Sequence, residues 1–166
     1  MKQELMNELL GILDNELNIY KEMLELSKQK TQIIVEGKVT ELDKIVKVEQ
    51  ALVIQISKIE KKREAIFESA SHEGGINKNN WNITELKKIS TPEQGTRLEK
   101  YKESMSKMIP ELTRVNQMNS KLITNSLDFI EFSLNLLSTA DISSNNYGSK
   151  GDTLNKEKKN LFDIRL

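Results

Sequence analysis

The sequence contains no cysteine and a single histidine, His72. Without thiols the chain forms no disulfide, runs no thiolate chemistry and offers no cysteine-ligated metal site. One imidazole excludes two-histidine zinc sites of the H-E-x-x-H kind and leaves one candidate base for a serine nucleophile. Aromatic residues make up 5% of the chain and hydrophobic residues 37%, against an apolar share of about 45–50% (counted with glycine) in ordinary globular domains. Neither sign of charge dominates: 25 bases face 25 acids, and no segment between the breaks identified below departs from neutrality by more than two charges. Nucleic-acid binders draw most of their affinity from phosphate neutralisation and show a basic stripe. This sequence shows none, and no nucleic-acid partner is expected. No apolar run approaches the roughly 18 residues of a membrane span, so no membrane insertion is expected. The opening Met1-Lys2-Gln3-Glu4-Leu5 has an early acid and no continuous apolar stretch, unlike a signal peptide. The expectation is a cytoplasmic chain.

What is present is charge, 30% of 166 residues, laid over helical periodicity. β-Branched residues fall at helical spacing and no strand pattern emerges. The composition suits an all-α protein, an elongated antiparallel helical hairpin or bundle of three helices with a flexible C-terminal tail. Residues 1–139 form the helical domain in this reading and 140–166 the tail. The first helix covers about residues 2–35. Met6, Leu10, Leu13, Leu17, Tyr20 and Leu24 make one stripe, and Leu5, Leu9, Ile12, Ile19, Met23, Leu26 and Ile33 make a second beside it. Two adjacent stripes are wider than a coiled-coil seam and call for neighbours on more than one side.

Gly37 stands where a left-handed cap would end that helix. Thr40 offers a hydroxyl N-cap for the second helix, about 40–68, with Glu41 and Asp43 in its first turn. The second stripe reads Leu42, Ile45, Glu49, Leu52, Ile56, Ile59, Arg63 and Ile66. A short link between two long helices predicts an antiparallel hairpin. Residues 69–91 read as a loop and a short helix: the loop covers 69–81, with His72 in it and Gly74-Gly75 at its centre, and the helix is introduced by an Asn82/Glu85 capping box and ends near Ser90. Thr91-Pro92-Glu93-Gln94 is a strong helix start: a cap hydroxyl, a proline at the first helical position and a glutamine three residues on. From there a third long helix runs to about residue 138, roughly 70 Å at 1.5 Å per residue. Pro110 lies inside it and predicts a kink near 106–110.

Catalytic chemistry finds little footing. His72 reads as a loop histidine, and the carboxylates sit beside lysines at helical spacing, as solvated faces do. The Gly74-Gly75 and Gly148-x-x-Gly151 pairs neither follow a strand nor open a helix, so they make no phosphate loop. No cofactor and no metal is expected. The polar interruptions of the third helix carry more information. Asn116 and Asn119 share one face, on or beside the apolar stripe, and such asparagines either set register within a bundle or mark a partner-binding groove. Asn119, Ser126 and Ser133 recur every seventh residue among Leu122, Phe129 and Leu136. They leave a furrow that is filled either by this chain or by a partner's helix. Tyr147 stands as an aromatic in a polar tail, either an incidental residue or a binding anchor whose large rigid ring buries much area at low entropy cost. The tail ends in an apolar island, Leu161-Phe162-Asp163-Ile164-Arg165-Leu166.

Asn116-x-x-Asn119-x-x-Leu122-Ile123-x-x-x-Leu127-x-x-Ile130, followed by Tyr147-Gly148-x-x-Gly151, resembles the FlgN-type flagellar export chaperones. Tyr20, Leu24, Leu26 and Lys30, the break at Gly37, and Glu49-Gln50-x-Leu52 before an Ile-rich helix ending in Lys62-Arg63 agree with that family more generally. The resemblance implies a non-enzymatic, cytosolic type III export chaperone for hook–filament junction proteins. It would hold a helical terminal segment of the client and present it to the cytoplasmic domain of the flagellar export gate. It also implies a client-binding set of Asn116, Asn119, Leu122, Ile123, Leu127 and Ile130, and gate docking through Tyr147, Gly148 and Gly151. A structural or regulatory coiled-coil protein without a secretion client is the competing reading, and a homodimer is left open.

Overall fold

The computed structural model describes residues 3–72 and 82–144, the side chains of His72 and of 139–144 excepted. Its elements are α1 (Gln3–Val35), α2 (Val39–His72), α3 (Ile83–Lys88) and α4 (Pro92–Ser144), so the described residues are all-helical. The chain divides into two compact units, Met1–Ser126 and Leu127–Leu166, and α4 passes from the first into the second.

In the first unit, α1 and α2 form an antiparallel hairpin. Its turn is a Schellman motif: Lys38 N–H donates to the Ile33 carbonyl and Gly37 N–H to that of Ile34, both at 3.1 Å. Gly37 adopts φ +67, the left-handed conformation that a Cβ disfavours. Thr40 is not the cap of α2. The tight turn makes the Lys38 carbonyl the first acceptor, for Glu41 and Leu42 N–H, and α2 opens one residue before the threonine. The far end of α2 also differs from expectation. Residues 69–72 are helical, because Ala70 is fully buried and the Ser69 and Ser71 hydroxyls fold back onto the Ala65 and Phe67 carbonyls. His72 is thus the last helical residue and not part of a loop.

Helix α3 is capped by Asn82, whose side chain accepts from Glu85 N–H at 2.9 Å, and it sends Leu86 into the core. The start of α4 is a complete capping box. Gln94 N–H donates to Thr91 Oγ1 at 3.3 Å, and Thr91 N–H donates to Gln94 Oε1 at 3.0 Å. Gln94 also donates to Asn7 Oδ1, tying this start to α1. Pro110 does not break α4. It and Ser106, whose carbonyl loses its partner there, both lie on the exposed side, where water reaches that oxygen.

The partners along α1 rise in step on α4: Asn7 with Gln94, Glu16 with Tyr101, Ser27 with Asn116 and Thr31 with Asn119. Within the first unit α4 therefore runs parallel to α1 and antiparallel to α2. The core is layered. Met6, Leu9, Leu10, Leu13, Ile66, Leu86 and Leu98 form one apolar cluster. Further along, Leu17, Met105 and Met108 join α1 to α4, while Ile19, Leu52 and Ile59 join α1 to α2.

Candidate functional site

Two polar layers cross this core. In the first, the Glu16 carboxylate is only 4% exposed. Arg63 Nη1 donates to its two oxygens at 3.1 and 2.8 Å, and the Tyr101 hydroxyl donates to Oε2 at 2.9 Å. One carboxylate on α1 thus holds both α2 and α4. Burial, the Glu16 charge and its hydrogen bond all push the Tyr101 hydroxyl well above the ordinary tyrosine range. Burial, with Glu16 and Glu60 nearby, raises that of Tyr20 as well.

The second layer surrounds Ser27. Lys30 Nζ donates to both Glu49 oxygens at 2.7 Å, joining α1 to α2. The Ser27 hydroxyl donates to Asn116 Oδ1 at 3.0 Å and stands 3.4 Å from Glu49 Oε1. Asn119 is 2% exposed. Its Oδ1 accepts from Thr31 Oγ1 at 2.6 Å and its Nδ2 donates to the Ser27 carbonyl at 2.8 Å. The asparagines of α4 therefore meet α1, and their amides fix how far α4 slides along it. Leu122 is half-buried and Ile123 exposed in the same unit.

The second unit presents a different surface. Leu127, Phe129, Ile130, Phe132, Leu134, Leu136 and Leu137 are all exposed, Leu127 at 60% and Phe129 at 69%. Leu127, Ile130, Leu134 and Leu137 follow steps of three and four along one face, and Phe129, Phe132 and Leu136 follow them along another. A helix apolar on two faces is a helix made to be covered. The Ser133 hydroxyl returns to the Phe129 carbonyl at 2.8 Å and leaves space between the flanking side chains. Leu127 and Ile130 of the expected client set thus lie in this surface. Phe132, Leu134 and Leu137 belong to it and escaped a reading organised around a single stripe. The signal was their density, seven large apolar residues within eleven positions. Tyr147, Gly148 and Gly151 fall outside the described residues.

Among the described residues no group of three or more His, Asp or Glu side chains is placed to hold a metal ion. No described helix is long and apolar enough to cross a membrane.

A helical frame locked by polar layers, with a bare apolar helical segment to present, defines a protein that binds other chains. The chain belongs to the FlgN family, whose profile, described as FlgN protein, matches residues 1–155. FlgN proteins are non-enzymatic, cytoplasmic chaperones of flagellar biogenesis that bind hook–filament junction proteins, and membership implies a flagellar export chaperone role. The chain is also similar to the Bacillus subtilis (strain 168) protein named "Uncharacterized protein YvyG", 31% identical over 148 residues, covering 89% of this chain and 90% of that one. No solved structure matches the chain.

Proposed function

We propose that this chain holds a helical terminal segment of a hook–filament junction protein against α4 and delivers it to the cytoplasmic domain of the flagellar export gate. The exposed apolar surface from Leu127 to Leu137 carries the reading, because a chaperone must offer the client's helix what the assembled structure will later offer it. Leu127 and Ile130 supply apolar contact, and Leu122 and Ile123 belong to the same client set. Asn116 and Asn119 set the position of α4 on α1, and Asn116, exposed on one side, also meets the client's polar atoms. Tyr147, flanked by Gly148 and Gly151, docks on the gate as a single aromatic anchor. Such an anchor is typically worth about 2 kcal/mol, or some thirtyfold in affinity.

Leu127→Glu and Ile130→Glu replace exposed side chains, so circular dichroism and melting temperature should stay as in the wild type. Binding of a junction-protein terminal segment, measured by calorimetry, should drop by tenfold or more for each. Unchanged affinity in both variants would place the client elsewhere. Tyr147→Ala should leave client binding intact and weaken only the docking of the loaded complex on the gate domain.

A further inference from the structure

We propose that the C-terminal island Leu161-Phe162-Asp163-Ile164-Arg165-Leu166 folds back onto the Leu127–Leu137 stretch of α4 and covers it until a client displaces it. The inference rests on the assignment of that stretch as the client surface.

Three observations converge on this occupant. First, the surface needs cover: its seven large apolar side chains are exposed on two faces of one helix. The island supplies four large apolar residues in six positions. Second, the charges match. No lysine or arginine stands between Lys121 and Lys150, whereas Asp128, Glu131 and Asp141 do. From Lys150 to Leu166 there are five bases against three acids, with Lys156, Lys158 and Lys159 just ahead of the island and Arg165 within it. Opposite charges at both ends of an apolar contact favour this pairing and fix its sense. Third, the connection has the right length. Phe132, the middle of the surface, lies twelve residues before Ser144, about 18 Å back along a helix rising 1.5 Å per residue. Sixteen residues, 145–160, separate Ser144 from the island. A flexible tether of that many residues would span about 22 Å. A tether whose root-mean-square length matches the gap gives the highest effective concentration, on the order of millimolar. A second copy of the chain would have to reach the same surface at its bulk concentration, and the tail outcompetes it.

The absence of cysteine makes the test direct. A nitroxide attached to Asn160→Cys in the full chain should broaden the amide signals of Leu127–Leu137, and Phe162→Asp in the same labelled chain should abolish the effect. Mixing nitroxide-labelled chains with separately isotope-labelled ones should give no broadening. Sharp Leu127–Leu137 signals in the singly labelled protein would overturn the fold-back, and equal broadening in the mixed sample would replace it with a second copy. In parallel, a junction-protein terminal-segment peptide should bind roughly two- to tenfold more tightly to the chain ending at Asn160 than to the full chain, because the competent fraction rises. Broadening without any gain in peptide affinity would keep the tail on this surface and overturn its assignment to the client.

Discussion

Asn119 uses both ends of its amide on α1, and a residue in that position is costly to remove. Asn119→Ala removes the amide's bonds to the Thr31 hydroxyl and the Ser27 carbonyl, leaves that hydroxyl only its turn-back contact to the Ser27 carbonyl, and opens a void beside Val115, which is 2% exposed. It should lower stability by about 1–2 kcal/mol in urea unfolding. Asn116→Ala removes one bond at a wet site and should cost no more than about 0.5–1 kcal/mol. The Glu16 layer follows a different rule. Arg63→Met alone strands a buried carboxylate and should cost about 3 kcal/mol, whereas the double variant Glu16→Met, Arg63→Met should cost less than that single change. Tyr101 gives the layer a pH signature. The folded state keeps the phenolic proton above pH 10, where an unfolded tyrosine releases it, so the unfolded state binds fewer protons there. Stability should therefore fall as pH rises past about 10. Tyr101→Phe should flatten that alkaline loss, read as the denaturant midpoint between pH 9 and 11. None of this layer was legible beforehand. Glu16 fills the gap between Ile12 and Ile19 in the second stripe of α1, and its partners stand 47 and 85 residues away. The one hint was Arg63 sitting in an otherwise apolar stripe, where its role is to meet a buried acid rather than to join Lys61 and Lys62 in a basic patch.

At the level of elements, the ends of helices were legible where a residue type marks the cap, a hydroxyl, an amide or a glycine, and obscure where an unmarked backbone carbonyl takes the first bonds. Thr91, Pro92 and Gln94 announce the start of α4, and the capping box forms as their spacing requires. Gly37 announces the end of α1. Thr40 misled because the Schellman turn hands the first bonds of α2 to the Lys38 carbonyl. The Ser-Ala-Ser stretch misled because a buried alanine outweighs the weak helix propensity of two serines that bond back to their own helix. Thr91→Ala should cost about 1 kcal/mol of stability by chemical denaturation. Gly37→Ala should cost about 1 kcal/mol as well, since only the turn's positive φ is strained and no neighbour stands within 4 Å of the added carbon. The apolar end of α4 was half legible. Phe129 and Leu136 were found from the periodic stripe and Leu127 and Ile130 from the family resemblance, whereas Phe132, Leu134 and Leu137 were not found, because a search for one stripe passes over a helix that has two.

On the scale of the whole molecule, the parallel course of α4 along α1 governs the order in which the first unit assembles. Hydrogen-bonded pairs between α1 and α2 are 19 to 47 residues apart, whereas those between α1 and α4 are 83 to 92 apart. Docking α4 on an unformed hairpin would close a loop of that larger size. Once α1 and α2 are zipped from the Gly37 turn, the connection left to α4 is the 19 residues from 73 to 91. That shortens the loop about fourfold, two doublings, and lowers its closure cost by roughly 1.2 kcal/mol. The hairpin should thus be formed at the transition state and α4 should dock afterwards. Gly37→Ala would then slow folding in stopped-flow experiments. Val115→Ala would leave the folding rate nearly unchanged and speed unfolding instead. On a ribosome the same order follows from synthesis itself, since the hairpin is complete before the residues of α4 that lock onto it have been added.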